Sequence, residues 1–325
     1  MIQVERLSKR YGAALAVDRL TFGVGRGEVV GFLGPNGAGK TTTMRILTTF
    51  LAPTSGRARL AGCDVLDEPL AVRKHIGYLP ENVPLYPEMR VREYLDFRAR
   101  LKDVPRVDRK RAIARVVERC HLGPVENRIL GHLSKGYRQR VGLAEAMVHD
   151  PDILILDEPT AGLDPIQIRE VRALIRELGD RHTILLSTHI MQEVEAVCSR
   201  VLLIARGRIA IDEALDRLRA GVAVEVEVRG PAEAVRKALE TAPGVARVVA
   251  AGAGVGTTGD GDGDTHVFVA HARGDEDLRE TLAARVVQNG WGLRRLDLRR
   301  STLEDRFVQA VVNADAEAAG EGEAA

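Results

Sequence analysis

The 325 residues leave room for two domains, and 47 basic against 46 acidic side chains give a net charge of +1, which excludes a polyanion-binding protein defined by its net charge. Arginine is favoured over lysine and Ala and Gly are abundant, a genomic bias rather than a nucleic-acid signal. Cys63, Cys120 and Cys198 are odd in number and lack paired-ligand spacing, so they read as reduced thiols, and Cys120-His121 has no second pair with which to hold a metal.

Met1 to Arg10 mixes charges without the apolar centre of a signal peptide, and no run approaches the roughly 18–20 apolar residues of a membrane helix; both predict a soluble chain. Ile2 to Leu7 and Leu20 to Val24 read as edge strands. The apolar run Glu28 to Leu33 reads as a buried strand, and Thr42 to Phe50 as a helix. Between them Gly34-Pro35-Asn36-Gly37-Ala38-Gly39-Lys40-Thr41-Thr42 fits the phosphate-binding loop G-x-x-x-x-G-K-[ST]. Its glycines let the backbone wrap an anion without Cβ clashes, and the amides opening the helix point at it. Lys40 is placed to reach β- and γ-phosphates and Thr41 to ligand Mg²⁺.

Further along, Arg90 to Leu101 and Arg106 to His121 read as helices, and Ser134 as the cap of a helix running to Met147. Asp152-Ile153-Leu154-Ile155-Leu156-Asp157-Glu158-Pro159 is an apolar strand ending in two acids. Open α/β sheets bind ligands at that end of their strands, so Asp157 is placed to hold Mg²⁺ through water and Glu158 to polarise an attacking water. Thr183 to Leu186 and Val201 to Ile204 complete a parallel core sheet, with Ser187-Thr188-His189 after the first of them.

Past Asp212 the pattern changes. Val222 to Val228, Val245 to Val249, His266 to Ala270 and Leu293 to Leu298 read as strands, with helices over Pro231 to Leu239 and Glu276 to Val287. That order predicts a small α+β ferredoxin-like domain over residues 217–313, following a first domain over 1–216. The run Gly259 to Asp264 matches neither the helix–loop–helix calcium pattern nor the nonapeptide repeat, so it reads as a loop, and Ala314 to Ala325 as a small, acidic, disordered tail.

The phosphate loop, Leu133-Ser134-Lys135-Gly136-Tyr137-Arg138-Gln139-Arg140, the paired acids, Thr160-Ala161-Gly162-Leu163-Asp164 and Ser187-Thr188-His189 stand in one order. In this order the chain resembles the ATP-binding subunit of an ABC transporter over roughly residues 1 to 215. The resemblance implies a P-loop NTPase fold of the ABC type with an inserted helical subdomain at about residues 88–150, ATP and Mg²⁺ as ligands, and hydrolysis of ATP coupled to transport. It implies that Tyr11 stacks on adenine and that Ser134 and Gly136 meet the γ-phosphate held by a second subunit. It also implies that His189 contacts the γ-phosphate of its own site and that Asp164 links the two sites. The implied partners are a second copy or a paired ATPase subunit and a separate integral membrane permease, with no nucleic acid, at the cytoplasmic face of the membrane.

Two motifs depart from the family pattern. Glu81, in Ile76-Gly77-Tyr78-Leu79-Pro80-Glu81, stands where Gln is usual, and no Gln occurs between Lys40 and Arg138. It remains a candidate metal contact and adds negative charge beside the γ-phosphate. The signature reads LSKGY rather than LSGGQ, which places the cation of Lys135 near a phosphate site. Both variants resemble a branch of gliding-motility, drug-export and sodium-export ATPases. Two other classes stay open: a soluble ABC ATPase acting on ribosomes or DNA, and a P-loop kinase or GTPase, which needs no signature helix.

Overall fold

A computed structural model of the protein describes residues 1–219, 222–250, 265–274, 276–300 and Phe307. The chain divides into two compact units, meeting between Leu215 and Asp216.

The first unit opens with β1 (Ile2–Tyr11), β2 (Ala14–Val24), β3 (Val29–Leu33), α1 (Lys40–Leu47), β4 (Ser55–Leu60), β5 (Cys63–Asp64), α2 (Pro69–His75) and β6 (Ile76–Leu79). It continues through α3 (Val91–Leu101), α4 (Arg106–Arg119), α5 (Lys135–Met147), β7 (Ile153–Asp157), α6 (Pro165–Gly179) and β8 (Thr183–Thr188). It ends with α7 (Met191–Val197), β9 (Arg200–Ala205) and β10 (Arg208–Ala214), before α8 (Leu215–Arg219), which runs across the boundary. A central sheet has the order β10-β9-β3-β8-β7-β6, parallel except for the β10–β9 pair. A smaller antiparallel sheet has the order β2-β1-β4-β5.

The unbroken apolar runs of the central strands follow from burial on both faces. Along β7, Ile153 and Ile155 join an apolar cluster with Ile2, Phe22 and Met44, while Leu154 and Leu156 join a second cluster with Tyr94, Val116 and Val141. The two-residue period of a strand thus allots one face to α1 and the small sheet, the other to the helices α3 to α6. Close approach of α5 to the sheet needs small residues: a Cβ on Gly77 would come 2.3 Å from the Ala146 carbonyl, and one on Gly142 would come 2.6 Å from Leu79.

Four strands differ from the sequence reading. β1 is interior, pairing with β2 on one side and β4 on the other. Ser-Gly-Arg-Ala-Arg-Leu of β4 carries too few apolar residues to announce a strand, but Ala58 and Leu60 turn inward and are buried. β6 and β10 extend the central sheet at its two edges.

The second unit runs β11 (Val222–Arg229), α9 (Ala232–Glu240), β12 (Val245–Ala250), β13 (Thr265–Ala272), α10 (Arg279–Gln288) and β14 (Gly292–Arg300). Its antiparallel sheet has the order β12-β13-β11-β14, the ferredoxin-like arrangement. Val224, Val226 and Val228 alternate inward against Val235, Leu239, Leu282 and Val286. The Gly/Asp-rich run 251–264 and the segments 301–306 and 314–325 lie outside the described residues. Among the described residues no helix is long and apolar enough to cross a membrane.

A buried charge cluster fastens α3 to α5. Glu145 Oε1 accepts Arg98 Nε and Nη2 at 2.9 and 2.6 Å, and Lys102 Nζ lies 2.9 Å from the same oxygen. Burial alone would raise the Glu145 carboxyl, but Lys102 and Arg98 hold it below the usual carboxylate range. Glu145→Ala leaves two cations in the interior without their counter-charge, so it is expected to cost about 3 kcal/mol of stability, read from the urea midpoint. A depressed folded-state pKa contributes stability above the unfolded pKa of about 4.3 and loses it as pH falls through the folded value, so the gap between wild type and variant should close in acid.

Candidate functional site

The carboxyl ends of β3, β8, β7 and β6 lie side by side, and each delivers part of one site. After β3, the chain turns tightly through Gly34 to Gly39 into α1. A Cβ on Gly34 would meet the Ile204 carbonyl at 2.4 Å, and Gly39, at φ +104°, has the Ala16 carbonyl where a Cβ would sit, at 2.5 Å. Only glycine fits either position. Lys40, the first residue of α1, is buried, and its ammonium donates to the carbonyls of Gly34 at 2.8 Å and Pro35 at 3.2 Å. It also stands 3.7 Å from Glu158 Oε1. Burial pushes the Lys40 pKa down, while Glu158, Asp157 and Glu81 oppose that shift.

At the end of β7, Asp157 is 1% exposed. Its Oδ1 accepts the Ser187 hydroxyl at 2.5 Å, and the Thr41 hydroxyl stands near enough to favour the charged carboxylate. Burial raises its pKa, against the pull of those two hydroxyls. Asp157 Oδ2 is buried without a hydrogen-bond partner among the described residues. An orphaned carboxylate oxygen beside a threonine hydroxyl is a hard-oxygen donor set that suits Mg²⁺.

Glu158 has φ +49°, left-handed backbone that is uncommon for a side chain of this kind. The turn is held by its amide, which donates to the Ser187 carbonyl at 2.9 Å. This conformation swings the carboxylate back over the phosphate loop, where His189 Nδ1 lies 3.0 and 2.9 Å from its two oxygens. A carboxylate offers no hydrogen, so Nδ1 carries it.

One pocket is lined by Asn36, Gly37, Gly39, Lys40, Thr41, Thr42, Glu81, Glu158 and His189, together with Ala16 and Ala161. Asp157 stands behind Thr41, and Gly34 and Pro35 supply the carbonyls under Lys40; Ala38 is buried. Tyr11 lies at the end of β1, outside the pocket lining, half exposed and with the Lys9 ammonium 5.3 Å from its ring centre.

Ser134, Gly136 and Asp164 also lie outside that lining. Ser134 caps α5, accepting the Tyr137 amide at 3.4 Å, and Asp164 caps α6, accepting the amides of Ile166 and Gln167 at 3.0 and 2.9 Å. These two helix starts are neighbours: a Cβ on Gly136 would come 2.6 Å from Gln167, and one on Gly162 would come 2.2 Å from Lys135 Nζ. The signature and Asp164 therefore form a second group, separate from the chain's own phosphate pocket.

Sequence reasoning missed Ser187 as the partner of Asp157, Ala16 and Ala161 in the lining, and the buried Glu193, which bonds both Thr160 and Thr188. Ser187 carried a signal, since it stands in register with Asp157 on adjacent parallel strands. Glu193 carried none.

A glycine loop feeding a helix N-terminus, with two acids at the end of a neighbouring parallel strand, defines a P-loop NTPase. Residues 17–161 match the family model described as ABC transporter. The chain is 37% identical over 249 residues to the uncharacterized ABC transporter ATP-binding protein YxlF of Bacillus subtilis, covering 77% of this chain and 83% of that protein. It is 39% identical over 208 residues to the Nod factor export ATP-binding protein I of Paraburkholderia xenovorans, covering 64% of this chain and 68% of that one. A solved ATP-binding subunit of an ABC transporter superposes with a TM-score of 0.62 at 31% identity, covering 67% of this chain and 92% of that one. The chain belongs to the ABC transporter ATP-binding protein family and is an ATP-hydrolysing subunit.

Lys40→Ala removes the only ammonium that lines the pocket among the described residues. Charge-assisted hydrogen bonds contribute ~1.5–3 kcal/mol, so ATP binding is expected to weaken about tenfold or more. Calorimetric titration with nucleotide checks this, and an unchanged Kd would remove Lys40 from the site.

Proposed function

We propose that two such subunits, either copies of this chain or this chain and a paired ATPase, close around two ATP molecules and drive a separate integral membrane permease as an exporter. The observation that carries this reading is the split of the site. Lys40, Glu158 and His189 gather over the phosphate loop, while Ser134, Gly136 and Asp164 gather elsewhere on the same chain. A single subunit therefore offers half of each composite site, and the signature of one completes the pocket of the other. Such closure sequesters the reacting phosphate and moves whatever is docked on the subunits.

In this reading the loop amides and Lys40 bind the triphosphate, with the ammonium leaving the Gly34 and Pro35 carbonyls for the β- and γ-phosphates. Tyr11 presents a ring face to adenine. Thr41, Asp157 and Glu81 hold Mg²⁺, which when bound neutralises charge on the phosphates. Glu158 accepts a hydrogen bond from the water that attacks the γ-phosphorus, and the β–γ bridging oxygen departs with ADP. His189 holds Glu158 through Nδ1 and contacts the γ-phosphate from the other edge of its ring. Asp164 joins the two sites. The subunit works at the cytoplasmic face of the membrane through its permease. Similarity to a Nod factor export ATP-binding protein supports export. In this reading the second compact unit, Asp216–Gln309, is an accessory module.

Glu158→Gln retains shape and loses the negative acceptor, so it is expected to bind ATP, lower the turnover number at least a hundredfold and accumulate as an ATP-bound dimer on size exclusion. Brisk turnover with a monomeric profile would sink the reading. Affinity purification from detergent-solubilised membranes should bring down a polytopic chain; ribosomes or DNA in its place would favour a soluble ATPase.

Glu81→Gln removes one negative charge from the pocket. It is expected to lower the KM for ATP a few-fold at low ionic strength, with the gain shrinking as salt screens the field. A KM that does not move across a salt series would show that the charge at position 81 is not sensed by nucleotide.

A further inference from the structure

Glu193, in the first turn of α7, is 1% exposed and lies outside the pocket lining. One of its oxygens accepts the Thr160 hydroxyl. The other accepts the Thr188 hydroxyl at 2.7 Å. Thr160 and Thr188 are themselves buried, at 3% and 0% exposure. Thr160 is two residues beyond Glu158, on the segment leading to Asp164, and Thr188 is the residue before His189. While donating to Glu193, the Thr188 hydroxyl accepts the Ile190 amide at 3.1 Å, so it also pins the backbone on the far side of His189.

A buried carboxylate is costly, and an Arg172 nitrogen on α6 stands 3.9 Å from it. An apolar side chain would fill the same space without that cost. A carboxylate does something an apolar group does not: each oxygen accepts a hydroxyl hydrogen, and two threonines, one in the turn after β7 and one at the end of β8, are held in one orientation.

We propose that Glu193 is a positioning residue for ATP hydrolysis, whose carboxylate grips Thr160 and Thr188 together and so fixes the turn carrying Glu158 against the turn carrying His189. The inference rests on the roles proposed above for those two residues. The contact at stake is the His189–Glu158 pair, at 2.9 Å. Glu193 does not touch the pocket, so its loss should act on the chemical step and not on nucleotide binding. Misplacement of a reacting group by about 1 Å costs roughly a hundredfold in rate.

The test is made on the full chain with Mg-ATP, measuring kcat by steady-state hydrolysis and Kd with a fluorescent ATP analogue. Glu193→Gln puts an amide donor where one hydroxyl now donates. Thr160→Val removes one hydroxyl at nearly constant shape and decides the matter if the Glu193 variant does not fold. Both are expected to lower kcat by about 10- to 100-fold with Kd within about twofold, and Thr160→Ser, which keeps the hydroxyl, is expected to recover most of the rate. Thr160→Val turning over at the wild-type rate would overturn the proposal. So would a loss of ATP affinity equal to the loss of rate, because the network would then serve binding. Glu158→Gln is run beside them: if it hydrolyses normally, the reading of the site fails, whereas a stalled Glu158→Gln beside an unimpaired Thr160→Val overturns only the role of Glu193.

Discussion

The register of three parallel strands fixes the geometry on which the site depends. Leu33 of β3 pairs with Thr188 of β8, and Asp157 of β7 pairs with Ser187 of β8. The phosphate loop, the paired acids and His189 each begin within a residue or two of those positions. A one-residue slip of a buried strand would turn its whole apolar set to the wrong face, so the two clusters that cover the sheet enforce the alignment. Precision at the pocket is therefore inherited from apolar packing several residues below it. The Ser187–Asp157 hydrogen bond is the polar expression of the same register.

Above that alignment, local backbone shape does the aiming. Glycines at 34 and 39 stand where carbonyls of neighbouring strands leave no room for a Cβ. The left-handed turn at Glu158 brings its carboxylate within 3.7 Å of Lys40 and 2.9 Å of His189. The Lys40 ammonium is shared among the Gly34 and Pro35 carbonyls and the Glu158 carboxylate. The loop is in this sense pre-organised around a cation of its own.

Local features were the legible ones. The phosphate loop, the acids ending β7 and the cap at Ser134 are written in consecutive residues, because each works through backbone within a few positions of itself. The second unit was legible for the same reason, since Val222 to Val228 alternates and its helices carry amphipathic spacing. Hidden features were those whose meaning lies across the fold. Nothing in the neighbouring sequence marks Glu145 or Glu193, and only folding brings Arg98 and Lys102, more than forty positions away, to the first and Thr160 to the second. β4 was hidden because two arginines interrupt a strand whose inward face is just Ala58 and Leu60.

The ion cluster at Glu145 has a mechanical side. It ties α3 to the C-terminal half of α5, the helix whose first turn displays Ser134 and Gly136. Two helices pinned by a buried charge and packed in one apolar cluster have little freedom to slide past each other. The start of α5, with Ser134 and Gly136, is therefore coupled to the position of α3 through one buried carboxylate.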